Sequence, residues 1–198
     1  RLHNFSQSYS QPSATITVSD FANIAVGTQL TFVLSDETRV TLEFELATFD
    51  ISIGSISGTY VVGETVTGGT SSATGVYISN TSSKMILKTI TGTFQSGETL
   101  TGGTSSATST SSSTLTTSSA SAAVGNKHFV RADLSNNATA DNIFTALNAV
   151  TGLTSTNPAA AVVTVTRDGF SIRNLSVTTS DSTPVSYTHL TLPTTCTV

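Results

Sequence analysis

Gly58-Thr-Tyr-Val-Val-Gly-Glu-Thr-Val-Thr-Gly-Gly-Thr-Ser-Ser-Ala-Thr-Gly75 returns 34 residues later as Gly92-Thr-Phe-Gln-Ser-Gly-Glu-Thr-Leu-Thr-Gly-Gly-Thr-Ser-Ser-Ala-Thr-Ser109, with thirteen of the eighteen positions identical. Repeats this close are structural units. The spacing matches some helical repeats, but Thr, Val, Ser and Gly-Gly pairs disfavour helix and suit short strands with tight turns. Each copy reads as a short strand, a Gly-Glu turn (Gly63-Glu64, Gly97-Glu98), a second strand, and then Gly68-Gly69 or Gly102-Gly103. The glycines are expected to supply positive φ. Between the copies, Lys84-Met-Ile-Leu-Lys-Thr-Ile90 is the most apolar strand. The two units are expected to pair into one small barrel or sandwich burying Tyr60, Val66, Val76, Ile78, Ile86, Phe94 and Leu100.

The flanks differ in style. Gln29-Leu-Thr-Phe-Val-Leu34 and Arg39-Val-Thr-Leu-Glu-Phe-Glu-Leu46 alternate around a polar turn at 35–38, which predicts a β-hairpin. Val40, Leu42, Phe44 and Leu46 share one face of its second strand; Thr41, Glu43 and Glu45 share the other, solvated one. Beyond the repeats, 128–134 reads as a strand and 139–151 as the one helix. Thr139 is its expected N-cap, Asp141 lies in its first turn, and Gly152 stops it. Ile143, Phe144, Leu147 and Val150 fall on one face. A second hairpin is expected from 161–166 and 171–177 around Asp168-Gly169.

The fold class is therefore mostly β. A β-rich host domain with one helix, split into 14–50 and 124–178, is interrupted by an all-β repeat module at 51–117. Residues 1–13 form a loose leader and 118–123 a linker; 109–121, rich in hydroxyls, is a polar edge strand or part of that linker.

Composition narrows function by exclusion. Ser and Thr supply about a third of the 198 residues, while charged residues are only 10% and the net charge is −4. No basic cluster provides the footprint of a nucleic-acid binder. No apolar run approaches membrane-spanning length. The chain opens on Arg1, which suggests a fragment with its start upstream.

No catalytic, cofactor-binding or metal-binding residue is assigned, and no cofactor is expected. His128 has no second ligand at a useful spacing, and His3 lies in the leader. Glu64 and Glu98 could form the acid and base of a glycosidase. Duplication alone explains their equivalence, and a carboxylate serving its own turn is the favoured reading. The Gly-Gly-Thr-Ser-Ser segments lack the Lys and the helix of a phosphate loop. Asp20, Asp36, Asp50, Asp133 and Asp168 have no calcium-loop spacing. The Asn-X-Ser/Thr sequons at Asn4, Asn80, Asn137 and Asn174 are expected by chance in so hydroxyl-rich a chain.

The repeat GETVTGGTSSATG (63–75) and its second copy resemble modules of tailed-bacteriophage tail, fibre and head-associated proteins. The flanks VGTQLTFVLSDETRVTLEFE and NNATADNIFTALNAVTGL resemble a β-rich domain with one helix that recurs in such proteins. Over residues 15–178 this resemblance implies a non-enzymatic virion protein, homo-oligomeric, with other virion subunits as partners. The alternative is a glycan-binding or adhesion module on a viral or bacterial surface, for which Tyr60, Tyr77 and Phe94 are the candidate aromatics. Val185-Ser-Tyr-Thr-His-Leu-Thr-Leu-Pro-Thr194 resembles a translated sequencing adapter, so 185–198, with His189 and the single Cys196, is expected to be an artefactual tail.

Overall fold

The computed structural model describes residues 11–168 and 175–190, apart from the side chains of residues 158, 159, 189 and 190. In chain order the strands are β1 (Ser13–Val18), β2 (Gln29–Val33), β3 (Arg39–Glu45), β4 (Phe49–Ser52), β5 (Thr65–Gly68), β6 (Thr74–Asn80), β7 (Lys84–Thr91), β8 (Thr99–Gly102), β9 (Thr108–Thr110) and β10 (Thr116–Thr117). β11 (Lys127–Arg131), helix α1 (Asn136–Asn148), β12 (Leu153–Ala159), β13 (Val162–Arg167), β14 (Ser176–Thr179) and β15 (Val185–Leu190) follow. The protein is mostly β with one α-helix among the described residues. It divides into two compact units, Leu46–Ser119 and the residues on either side of that stretch.

The flanking unit holds two four-stranded sheets, ordered β12-β13-β1-β15 and β11-β3-β2-β14. The expected first hairpin is present: β2 and β3 pair with Val33 opposite Arg39 and Gln29 opposite Glu43. Val40, Leu42 and Phe44 point into the core, but β3 ends at Glu45 and Leu46 is 46% exposed. β11 runs parallel to β3 and stops at Arg131, short of the expected Leu134.

Among the described residues the expected second hairpin is not present, and its residues 169–174 lie outside them. β13 is flanked by β12 and β1, whereas β14 lies in the other sheet beside β2. Both edges of β13 are occupied, so its backbone donors and acceptors leave no place for a following strand. The Asp168-Gly169 turn falls partly outside the described residues. The actual hairpin partner of β13 is β12, which contains Pro158 and is an edge strand, where Pro is tolerated. β15, within the adapter-like stretch, pairs along the other side of β1, with Val18 opposite Val185.

Helix α1 begins three residues earlier than expected. Its N-cap is Ser135, whose hydroxyl accepts the Ala138 amide at 3.1 Å. Thr139 is instead fully buried and accepts the Asp133 amide at 2.8 Å. This shift takes Asp141 out of the first turn. Ile143 and Leu147 are buried as the helical spacing requires and Phe144 is half-buried; Val150 is buried too but lies past the helix, which ends at Asn148 and not at the expected 151. The Ser155 hydroxyl donates to the Phe144 carbonyl at 3.1 Å, tying the helix to β12.

The repeat unit is a seven-stranded antiparallel sheet, ordered β10-β4-β7-β6-β5-β8-β9. It curls until the residues after β4 meet β9, through bridges Ile53–Ser111 and Ser57–Thr108. Six strands thus close into a barrel, with β10 attached beside β4. A barrel this small has an interior filled by side chains. Ile51, Ile53, Tyr60, Val66, Tyr77, Met85, Leu87, Phe94 and Leu100 fill it. Tyr60, Val66, Phe94 and Leu100 are buried as expected, while Val76, Ile78 and Ile86 are only half-buried. In the near-continuous apolar runs of β6 and β7, alternation does not fix the phase, and a slip of one residue exchanges the faces. Residues 58–62, expected to be a strand, have no ladder partner.

Candidate functional site

The repeated Gly-Glu pairs carry the most unusual chemistry in the molecule. Glu64 and Glu98 are only 5% and 3% exposed. The Glu64 carboxylate accepts the Val61 amide of its own turn at 2.7 Å. It then reaches into the other copy, accepting the amides of Thr104 and Ser105 at 2.9 Å each and the Ser105 hydroxyl at 2.7 Å. Glu98 does the reverse. It accepts the Gln95 amide at 2.7 Å, the amides of Thr70 and Ser71 at 3.1 and 2.9 Å, and the Ser71 hydroxyl at 2.9 Å. Each copy of the repeat therefore supplies a carboxylate to lock the Gly-Gly-Thr-Ser-Ser loop of the other.

The loops are shaped to be locked. The Ser71 and Ser105 hydroxyls donate to the carboxylates and accept the Ala73 and Ala107 amides at 3.1 Å. Ser72 and Ser106 hold positive φ, 58° and 55°. The first glycine of each Gly-Gly pair has a reason other than the expected positive φ. A Cβ at Gly68 would lie 2.5 Å from a Glu98 oxygen, and one at Gly102 would lie 2.6 Å from a Glu64 oxygen. Only glycine leaves room for the carboxylate.

Burial by itself would raise the Glu64 pKa. The hydrogen bonds from Ser105, Val61 and Thr104 outweigh that effect and hold the carboxyl down at about 2. Glu98 is lowered in the same way, its burial outweighed by donors on Ser71, Gln95 and Thr70. A carboxylate has about four lone-pair sites, and Glu64 uses four acceptor interactions internally. Such a group stays ionised and has no proton to give. The two glutamates also end on different loops, so the expected turn-serving role is extended across the repeats.

The other candidates are likewise committed. Tyr60, Tyr77 and Phe94 are 5%, 6% and 1% exposed. Tyr60 and Tyr77 stack at 5.3 Å, and the Tyr60 hydroxyl donates to the Leu100 carbonyl at 2.8 Å. The aromatic platform of the glycan reading is therefore core. Glu43 and Glu45, read as simply solvated, form ion pairs with β11: Glu43 with Lys127 at 2.7 Å and Glu45 with Arg131 at 2.8 Å. Parallel pairing of β11 with β3 brings these charges together, which sequence spacing could not reveal. Asp50 pairs with Lys84 at 2.6 Å; Asp36 accepts the Thr38 amide in its own turn at 3.0 Å. His128 is half-buried on β11, and His3 lies outside the described residues. Among the described residues, no group of three or more His, Cys, Asp or Glu is arranged to hold a metal ion, and no helix is long and apolar enough to cross a membrane.

Fold and site together define a β-rich unit carrying an inserted barrel whose two halves are locked by buried carboxylates. In comparison with known proteins, the chain matches no family model, no curated protein and no solved structure.

Proposed function

We propose that this chain is a non-enzymatic structural protein of a tailed-phage virion, from a tail, fibre or head appendage, acting in assembly or surface display with other virion subunits. One observation carries the reading: the two carboxylates best placed by sequence for chemistry are both spent on holding backbone loops. A repeat whose only buried charges act as braces serves rigidity. The likeness of the repeat and its flanks to phage structural modules supplies the setting.

The test is to raise antibodies against the barrel and label purified virions of the source phage. Gold particles at a fixed position on the tail, fibre or head, with the peptide recovered by mass spectrometry of those virions, are the expected result. Absence of the chain from virions while it accumulates in infected cells would refute the proposal. The adhesion alternative has lost its three aromatic candidates to the core, and no other observation favours it.

A further inference from the structure

We propose that two copies of this chain exchange halves, each chain's residues 1–80 completing the partner's residues 84–198. The inference goes beyond the virion reading and does not depend on it.

The barrel is built like a dimer. Adding 34 to a residue number carries one half onto the other, and paired residues are often each other's counterparts: Ile51 faces Met85, and Thr67 faces Thr101. The pair Asp50–Ile86 maps onto Ser52–Lys84, and the bridge Ile53–Ser111 maps onto Leu87–Tyr77. The Glu64 and Glu98 locks obey the same rule. This is isologous geometry, in which each half offers the other the patch it receives.

Only residues 81–83 connect the two halves. They form an exposed turn closed by the Thr81 amide donating to the Lys84 carbonyl at 2.8 Å, with the Thr81 hydroxyl accepting the Lys84 amide at 3.1 Å. The flanking unit is also a composite, since β1–β3 come from before this turn and β11–β15 from after it. If the turn straightens, every strand pairing in both units can be remade with a partner chain. The losses are confined to the turn itself. Exchange at a single short hinge is a low-cost route to a dimer, driven by concentration.

The test uses full-length chains with Cys196→Ser. Thr67 and Thr101 are exposed and directly opposed across β5 and β8, and directly opposed residues of antiparallel strands lie within disulfide reach. One chain carries Thr67→Cys, another Thr101→Cys, and a third carries both. The double variant, refolded at low concentration where chains stay single, should close an intramolecular disulfide. Single variants unfolded together and refolded at high concentration should give a disulfide-linked heterodimer with the mass of two chains by light scattering, its yield rising with concentration. The same variants mixed when already folded should give none. Closure in the double variant with no heterodimer after co-refolding overturns the proposal. So does equal cross-linking of chains never unfolded, which would mean collision and not exchange. Failure of the double variant to close would remove the facing register on which the proposal stands.

Discussion

The two buried glutamates tie stability to pH, which a solvated carboxylate with an unshifted pKa does not. In the unfolded chain Glu64 titrates near 4.5, and in the folded protein at about 2. A depressed folded pKa contributes stability that is complete above the unfolded value and lost as pH falls toward the folded one. The melting temperature should therefore decline as pH drops from about 4.5 toward 2. In a Glu64→Gln, Glu98→Gln double variant, melted over the same series, the decline should flatten; an unchanged slope would mean that these groups do not govern acid unfolding. Removing one brace outright is harsher. Glu98→Ala leaves the Thr70, Ser71 and Gln95 amides without their acceptor, an expected loss on the order of 3 kcal/mol in urea unfolding. The glycine beneath the brace should show coupling. Gly68→Ala places a methyl against the Glu98 carboxylate, so it should be strongly destabilising alone and much less so once Glu98 is Ala. Strict additivity of the two changes in a double-mutant cycle would sink the close-approach argument. Two of the five differences between the copies go together. Tyr60 with Ser109 in one half stands where Phe94 with Gly75 stands in the other, so a hydroxyl appears only where a partner hydroxyl lies 3.1 Å away.

At the scale of elements, what could be read depended on whether local pattern and tertiary pairing agreed. The β2–β3 hairpin was legible because two alternating runs were separated by a short turn, and nothing distant competed with them. The helix was legible in its apolar face, but its start was not. Two hydroxyl residues lie near it, Ser135 and Thr139, and burial decides which one caps. Ser135→Ala should cost about 1 kcal/mol, as N-cap losses do. Thr139→Val should also destabilise, by stranding the Asp133 amide, although its shape is kept. A Thr139→Val variant as stable as the wild type in thermal melts would show that the Asp133 amide does not depend on the Thr139 hydroxyl. The misplaced second hairpin has a different origin: β13 and β14 are adjacent in sequence, but β13 is claimed on both sides by β1 and β12. The glutamate locks were half legible. A carboxylate serving a turn follows from Gly-Glu chemistry, while its reach into the other repeat depends on the two copies facing each other, which appears only when they are folded together.

For the whole molecule, the distinctive fact is that the barrel is an insertion whose two ends leave and re-enter the host close together. The Glu45 carboxylate, at the last residue before the insertion, accepts both the amide and the hydroxyl of Ser121 at 2.7 and 2.6 Å. β3 and β11, which flank the insertion in sequence, are neighbours in one sheet. Closing a short loop between such ends costs little, because closure entropy grows only slowly with length. The host's buried side chains on β1, β2, β3, β13 and α1 come from outside Leu46–Ser119. A chain in which residues 46–119 are replaced by a short Gly-Ser linker should therefore fold, with one cooperative thermal transition and retained helical circular dichroism from α1. The excised barrel should melt as a second, independent unit whose stability carries the acid sensitivity of Glu64 and Glu98, while the host lacking it shows none from that source. If the shortened host instead remains unfolded at neutral pH, the host would need its insertion to fold, and the two units would form one cooperative whole.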